Sequence, residues 1–131
     1  MITAKEIMTK DVITAKEDSS VIEVLDTLLE NKISGLPVTD DNNNLIAIIT
    51  EKDLLNTLFL EDLDVTNTIE PYLSKKVISF KVDDSIYEIC DFFLKHNIRR
   101  VPIEQDGKLM GVISRRDIMR IVLKAVVSKN P

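Results

Sequence analysis

Two stretches of this chain decide its fold. Residues 109–117 read Leu-Met-Gly-Val-Ile-Ser-Arg-Arg-Asp, and residues 45–53 read Leu-Ile-Ala-Ile-Ile-Thr-Glu-Lys-Asp. Each stretch opens with aliphatic and β-branched residues, which predict a buried strand. Each then places Ser or Thr three residues before Asp, which is typical of a helix start. The sequence therefore predicts the same strand-to-helix junction twice.

The sequence around these junctions is also repeated. A shift of 65 residues places 18–20 (Asp-Ser-Ser) over 83–85 (Asp-Asp-Ser), and Pro37 over Pro102. The shift becomes 64 after one extra residue in the Asn-rich turn at 42–44. A register that persists through both strands and helices, with one slip in a loop, indicates a tandem repeat.

Each repeat predicts the order strand, helix, strand, strand, helix. Two of the helix starts carry a Ser followed three residues later by Glu, at Ser20 and Ser85, and these pairs predict capping boxes. In the first repeat the predicted elements are strand 12–15, helix 20–32, strands 36–39 and 45–50, and a helix from 51. In the second they are strand 77–82, helix 85–96, strands 101–104 and 109–114, and a helix from 115. Short helical turns are predicted near 3–8 and 67–73, a linker at 61–68, and repeat boundaries at 1–63 and 64–131.

Apolar spacing predicts which helix faces are buried. Residues three and four apart share one side of a helix, which gives each middle helix an apolar face. The last helix of each repeat carries more apolar residues than one core face needs, which indicates a partner surface or deeper burial. The middle-helix faces are Val21, Val24, Leu25, Leu28 and Leu29, then Ile86, Ile89, Cys90, Phe93 and Leu94. The last-helix stripes are Leu54, Leu55, Leu58 and Phe59, then Ile118, Met119, Ile121, Val122, Leu123, Ala125 and Val126.

Composition excludes several classes of protein. The chain has 131 residues, of which 44% are hydrophobic and 30% charged, so a disordered or collagen-like chain is excluded. The net charge of −5 argues against a nucleic-acid partner, and no apolar run is long enough for a membrane span. A single cysteine excludes an internal disulfide. These features predict a soluble cytoplasmic protein.

The element order, the Pro-containing second strand and the two junction motifs resemble the cystathionine-β-synthase (CBS) domain. The doubled pattern over 3–127 resembles a tandem pair, the Bateman module. This resemblance implies an α/β (α+β) fold of two βαββα repeats related by a pseudo-twofold axis, with their sheets packed together. It also implies two clefts that bind adenosine-containing ligands, and modules that pair into homodimers.

The resemblance also implies which residues line the clefts, with adenine contacts from one repeat and sugar and phosphate contacts from the other. We call the cleft whose sugar and phosphate contacts come from the second repeat cleft A, and the other cleft B. All five arginines lie in the second repeat, and the first repeat, which supplies the sugar contacts of cleft B, has Ala47 in place of the motif glycine. Guanidinium groups bind phosphate in a bidentate way, so cleft A is the predicted nucleotide site and cleft B the weaker one. For cleft A the residues are Thr14, Ile33, Ser34, Gly35, Leu36, Pro37, Arg99, Arg100, Ser114, Arg115 and Asp117. For cleft B they are Ser79, Ile98 and Val101, with Thr50 and Asp53 for ribose.

Two interpretations of the junction motifs stay open at this point. The acid is a plain helix cap, or it caps when empty and accepts hydrogen bonds from ribose hydroxyls when occupied. No nucleophile–base pair and no metal-ligand cluster stands out, so the sequence predicts no enzyme, no metal and no cofactor beyond a regulatory nucleotide. The leading hypothesis is a regulatory sensor for AMP, ADP, ATP or an S-adenosylmethionine-like ligand that acts on an unknown protein. The alternative is a ligand-free dimerisation or protein-interaction module.

Overall fold

The computed structural model of the chain describes residues 1–59, 64 and 66–129. The chain forms two compact units. We call residues 13–77 the first unit, and residues 1–12 with 78–131 the second unit. Both mix helices with a small sheet, which confirms the α/β class. No helix in the described part of the chain is long and apolar enough to cross a bilayer.

The first unit is built on an antiparallel hairpin. Strands β1 (Gly35–Thr39) and β2 (Leu45–Thr50) pair from Gly35 opposite Thr50 to Thr39 opposite Leu45. Helix α2 (Val21–Asn31) packs on the sheet, and the short helix α3 (Glu51–Leu55) follows β2 and continues as a 3₁₀ turn, Asn56–Phe59. A second 3₁₀ turn covers Glu70–Tyr72. The core residues are Ala15, Val21, Val24, Leu28, Leu36, Val38, Ala47, Ile49, Leu54 and Ile69.

The second unit has the same plan. Strand β3 (Phe80–Lys81) runs parallel to β4 (Arg100–Gln105), which pairs antiparallel with β5 (Lys108–Ser114). Helix α4 (Ile86–Lys95) lies between β3 and β4 in the chain, and helix α5 (Arg115–Lys129) follows β5. A one-turn helix α1 (Ala4–Ile7) completes the unit. The core residues are Ala4, Val82, Ile86, Ile89, Phe93, Val101, Ile103, Ile113 and Ile118.

Each unit is completed by a segment that precedes the other repeat in the chain. Thr9 pairs with Val112 on the edge of β5 through two backbone hydrogen bonds of 2.9 and 3.0 Å. In the first unit Ser74 pairs with Ile48 of β2 in the same way. The buried Ala4 and Ile69 anchor these two segments in their cores. The predicted repeats 1–63 and 64–131 follow the order of the repeat along the chain, whereas the compact units follow the contacts, and the repeat boundaries stay a prediction.

The path of the 1–12 segment over β5 explains why residue 111 is a glycine. A Cβ at Gly111 would lie 2.6 Å from the Met8 sulfur and 2.8 Å from the Thr9 carbonyl oxygen. Real Cβ atoms essentially never come this close to other atoms, so a side chain at 111 would force the 1–12 segment to shift, whereas glycine lets it pass over β5 undisturbed. The matching Ala47 is fully buried and is accommodated in the first unit. The Gly-to-Ala difference between the repeats is therefore accounted for by packing, without reference to a ligand.

Most predicted elements are confirmed, with two local corrections. The middle helices, both hairpins and both short helical turns lie where the sequence predicts them. The first strand of each repeat is much shorter than predicted: it is a single bridge at Ala15 in one repeat and two residues in the other. The Ser20 capping box is confirmed, but Ser85 accepts from the Tyr87 N–H, so the predicted box with Glu88 is wrong. Of the predicted linker 61–68, residues 61–63 and 65 lie outside the described residues.

The buried faces differ from prediction at their edges. Leu29 and Leu94 occupy equivalent positions and are 77% and 82% exposed. Each lies roughly 100° around its helix from the mean direction of the buried residues, beyond the reach of the core. Ile118, predicted in the surplus stripe of the last helix, is buried in the core. Leu54 is buried in the same way in the first unit. The side chain of Leu58 lies outside the described part of the chain.

Candidate functional site

The candidate site in each unit is the junction where the second hairpin strand ends and a helix begins. In the second unit Asp117 Oδ2 accepts from the Ser114 backbone N–H at 2.7 Å and from Ser114 Oγ at 3.0 Å. The Asp117 N–H donates back to Ser114 Oγ at 3.2 Å. These reciprocal bonds satisfy donors that a helix start leaves unpaired, and they hold the carboxylate of Asp117 in place.

The first unit repeats this geometry closely. Asp53 Oδ2 accepts from the Thr50 N–H at 2.9 Å and from Thr50 Oγ1 at 2.8 Å, and the Asp53 N–H donates to Thr50 Oγ1 at 3.2 Å. Both Asp side chains are half-buried. The capping interpretation of the two motifs is therefore confirmed in both units, and it leaves Oδ1 of each carboxylate outside the cap.

The residues before the first hairpin strand lie beside each junction. The Glu51 N–H donates to the Ser34 carbonyl at 2.8 Å, and the Arg115 N–H donates to the Arg99 carbonyl at 3.0 Å. Across the hairpins, Gly35 pairs with Thr50 and Arg100 pairs with Ser114. Directly paired residues project from the same face of a sheet. Arg100 therefore shares a sheet face with Ser114, and the first unit has no side chain at the equivalent position.

Arg115 has a structural task that sequence reasoning missed. Its Nε donates to the Ile98 carbonyl at 2.9 Å, and its Nη2 donates to the carbonyls of Phe93 and His96 at 3.1 and 2.8 Å. The guanidinium also lies 6.0 Å from the centre of the Phe93 ring. A cation is favourable at the C-terminal end of a helix, so Arg115 ties the end of α4 to the start of α5. No sequence spacing signals this contact, because its partners are 17 to 22 residues away.

Arg120 forms an ion pair with the candidate site. Its Nη1 lies 2.9 Å from Asp117 Oδ1, on the oxygen that the cap does not use. The Asp117 side chain is 14% exposed and that of Arg120 is 65% exposed. The i,i+3 spacing on one helix is a readable signal for such a pair. Sequence reasoning gave Arg120 no role at the site and missed this pair.

The adenine-contact predictions fall on residues of different character. Leu36 and Val101 are each 1% exposed, so their side chains belong to the two cores. Ile33 and Ile98 are half-buried and pack against the same cores. The other predicted residues, Thr14, Ser34, Gly35, Pro37 and Ser79, are neither fully buried nor fully exposed. The assignment of all these residues to cleft A or cleft B stays a prediction.

Two other titratable groups, Cys90 and His96, lie against apolar or aromatic side chains. Cys90 is half-buried against the second core, and the His96 ring stacks on Phe92 at 4.4 Å at the end of α4. Within the described residues, no three His, Cys, Asp or Glu side chains are grouped so that they could hold a metal ion. A depression of about 420 Å³ lies at the far end of β4 from the junction. Its lining residues are Lys81, Val82, Asp83, Glu104, Gln105, Asp106 and Gly107.

A protein-family model and a known enzyme both match most of this chain. The CBS domain family model matches residues 4–60 and again 69–124. Inosine-5′-monophosphate dehydrogenase of Methanocaldococcus jannaschii is 34% identical over 118 residues, which is 89% of this chain and 23% of that enzyme's length. The chain thus spans less than a quarter of that relative.

Two solved structures are similar over almost the whole chain. CBSX2 from Arabidopsis thaliana, solved in complex with AMP, has a TM-score of 0.84 at 25% identity, covering 95% of this chain and 98% of its own. The CBS domain pair of protein MJ0100, solved in complex with 5-methylthioadenosine and S-adenosyl-L-methionine, has a TM-score of 0.79 at 28% identity, with the same coverage. Both neighbours therefore hold adenosine-containing ligands.

Proposed function

The chain belongs to the CBS domain family, and we propose that it is a regulatory module that binds an adenosine-containing ligand and passes the bound state to a partner. The observation that carries the proposal is the pair of equivalent junctions, each with a half-buried Asp held by a Ser or Thr at a helix start. The AMP in CBSX2 and the adenosine compounds in MJ0100 support this class of ligand. We propose an adenine nucleotide, AMP, ADP or ATP, as the ligand.

The proposed role of Asp117 is to bind the ribose. Its Oδ2 is occupied by the cap, so vicinal hydroxyls would be accepted at Oδ1 and at the lone pair that the Ser114 hydroxyl releases when it rotates. Hydrogen bonds to a charged acceptor are stronger than neutral ones. The same reasoning applies to Asp53 in the first unit.

The proposed phosphate contacts are Arg99 and Arg100. Both side chains are exposed, and the backbone bonds of this segment hold it beside Ser114. Arg115 was predicted with them, but three of its donor contacts are made to backbone carbonyls. The first unit has Ser34 and Gly35 at the equivalent positions, so we propose that the Asp117 junction is the stronger nucleotide site.

Calorimetric titration of four variants with AMP and adenosine tests these roles. Asp117→Ala is expected to weaken binding about ten- to a hundredfold, the equivalent of about 1.5–3 kcal/mol for hydrogen bonds to a charged acceptor. Asp53→Ala is expected to weaken it much less. Arg99→Ala and Arg100→Ala are expected to weaken AMP more than adenosine, because adenosine has no phosphate.

Controls separate binding from folding. Thermal melts check each variant, and Asp117→Asn keeps a carbonyl oxygen that can still cap α5 while removing the charge. Equal losses from the two Asp→Ala variants would refute the asymmetry between the junctions. A wild-type chain that binds no adenosine compound would refute the sensor and leave the ligand-free dimerisation module.

We also propose that the module forms a homodimer through α5. Five apolar side chains on this helix are more than half exposed and follow the three-and-four spacing of one continuous stripe. An exposed apolar stripe of this length is typical of a protein interface. The stripe is Met119, Val122, Leu123, Val126 and Val127. The regulated partner is proposed only as a class: an associated protein, or another domain of a longer chain.

A further inference from the structure

We propose that Arg120 determines the ligand selectivity of the Asp117 junction, favouring anionic nucleotides over uncharged adenosine compounds. This inference rests on the proposed ribose-binding role of Asp117. Its starting point is the 2.9 Å ion pair between Arg120 Nη1 and Asp117 Oδ1. The guanidinium donates to the carboxylate oxygen that would accept from a ribose hydroxyl.

The geometry of Asp117 makes the competition direct. Oδ2 already accepts from the Ser114 N–H and from Ser114 Oγ. Oδ1 accepts from Arg120, so one of its two lone-pair directions is occupied before a ligand arrives. The ribose hydroxyl that bonds to Oδ1 therefore has to share this oxygen with the guanidinium, and a ligand that approaches through the space of the guanidinium has to displace Arg120. Displacing Arg120 reduces the affinity for any ligand that gives the guanidinium no new hydrogen-bond partner.

A ligand that carries a phosphate gives the displaced guanidinium a new partner. The Arg120 side chain is 65% exposed, so its guanidinium is free to turn from Asp117 toward an anion beside the junction. Guanidinium groups bind phosphate oxygens with paired hydrogen bonds. The cost of breaking the ion pair is then offset for AMP and remains for adenosine.

The first unit supplies an internal comparison. The residue equivalent to Arg120 is Asn56, which carries no charge. Asp53 Oδ2 is held as in the second unit, and no ion pair to Asp53 is found among the described residues. The two junctions thus share the cap and differ in the arginine. A side chain needed for the cap itself would be present in both.

The test uses Arg120→Gln in the full chain, with Asp53→Asn in every protein so that the Asp117 junction dominates the titration. The matched control is Arg116→Gln, which removes an equal charge from an exposed position on the same helix. Calorimetry measures adenosine and AMP at low and high salt. An exposed ion pair is weak, so Arg120→Gln is expected to tighten adenosine binding about two- to fivefold. AMP binding should stay the same or weaken, and the ratio of the two affinities should not move in Arg116→Gln.

Salt gives a second, independent readout. Screening weakens exposed ion pairs, so raising the salt concentration is expected to tighten adenosine binding in the parent protein and leave it unchanged in Arg120→Gln. An adenosine-to-AMP affinity ratio equal in Arg120→Gln and Arg116→Gln overturns the selectivity role while the nucleotide sensor stands. A shift in melting temperature without a shift in that ratio overturns it as well. Absence of binding by every adenosine compound to the wild-type chain overturns both the sensor and this inference.

Discussion

Replacing Gly111 with alanine tests how the N-terminal segment completes the second unit. The new Cβ would lie 2.6 Å from the Met8 sulfur, 2.7 Å from Met8 Cγ and 2.8 Å from the Thr9 carbonyl oxygen. The end of the Met8 side chain is flexible and can move aside. The Thr9 carbonyl cannot move alone, because the backbone of Thr9 is bonded to Val112 at both ends.

The structure sets the size of the effect by two routes. If the segment stays in place, the strain of overpacking costs about 1–3 kcal/mol. If the segment lifts away, two backbone hydrogen bonds to Val112 are lost, at about 1 kcal/mol each. Both routes give a similar loss in the free energy of unfolding. For a chain of this length that corresponds to a fall of roughly 4–12 °C in melting temperature.

Thermal melting and amide hydrogen exchange together provide the assay. Exchange should accelerate at the Thr9 and Val112 amides, because these two bonds join the segment to β5. The matched control is Ala47→Gly at the equivalent position, which creates no clash and is expected to cost about 1 kcal/mol for a lost buried methyl and a freer backbone. A Gly111→Ala protein that melts within 1 °C of wild type, with unchanged protection at both amides, would refute the close approach.

Two further predictions concern α5. Val122→Glu places a charge in the proposed apolar interface and is expected to convert a dimer, with a mass near twice 14.9 kDa, into a monomer at micromolar concentration. Light scattering measures the mass. The control variant Lys124→Glu, on the opposite side of the helix, should leave the dimer intact. A monomeric wild type would contradict the proposed interface. Arg115→Gln removes the guanidinium bonds to the end of α4 and is expected to lower the free energy of unfolding by about 1.5–3 kcal/mol. Urea unfolding measures it, and a loss no larger than that of the exposed Arg116→Gln would show that these bonds contribute little.

The choice of Val122 for the interface test depends on the tertiary structure. The sequence alone gives Ile118 an equal claim, since both residues belong to the same apolar stripe. Ile118 is 8% exposed and sits in the second core, so a charge there would unfold the unit and say nothing about assembly. Val122 is 56% exposed and is free to contact a second copy.

The sequence by itself determined those features that depend on residues a few positions apart. The tandem repeat, the order of elements, the Ser20 capping box and the caps at Thr50 and Ser114 were all readable. Caps and helix periodicity involve partners within about four residues, so their chemistry is written locally. The ion pair of Arg120 with Asp117 was readable by the same rule, through its i,i+3 spacing.

Only the tertiary structure decided which distant segments meet. The pairing of Thr9 with Val112, the need for glycine at Gly111, and the contacts of Arg115 with the end of α4 all join residues far apart in the chain. A motif glycine looks the same in sequence whether it makes room for a ligand or for a passing segment of backbone. Distance between residues remote in sequence is set by packing of the whole unit, and local patterns carry no record of it.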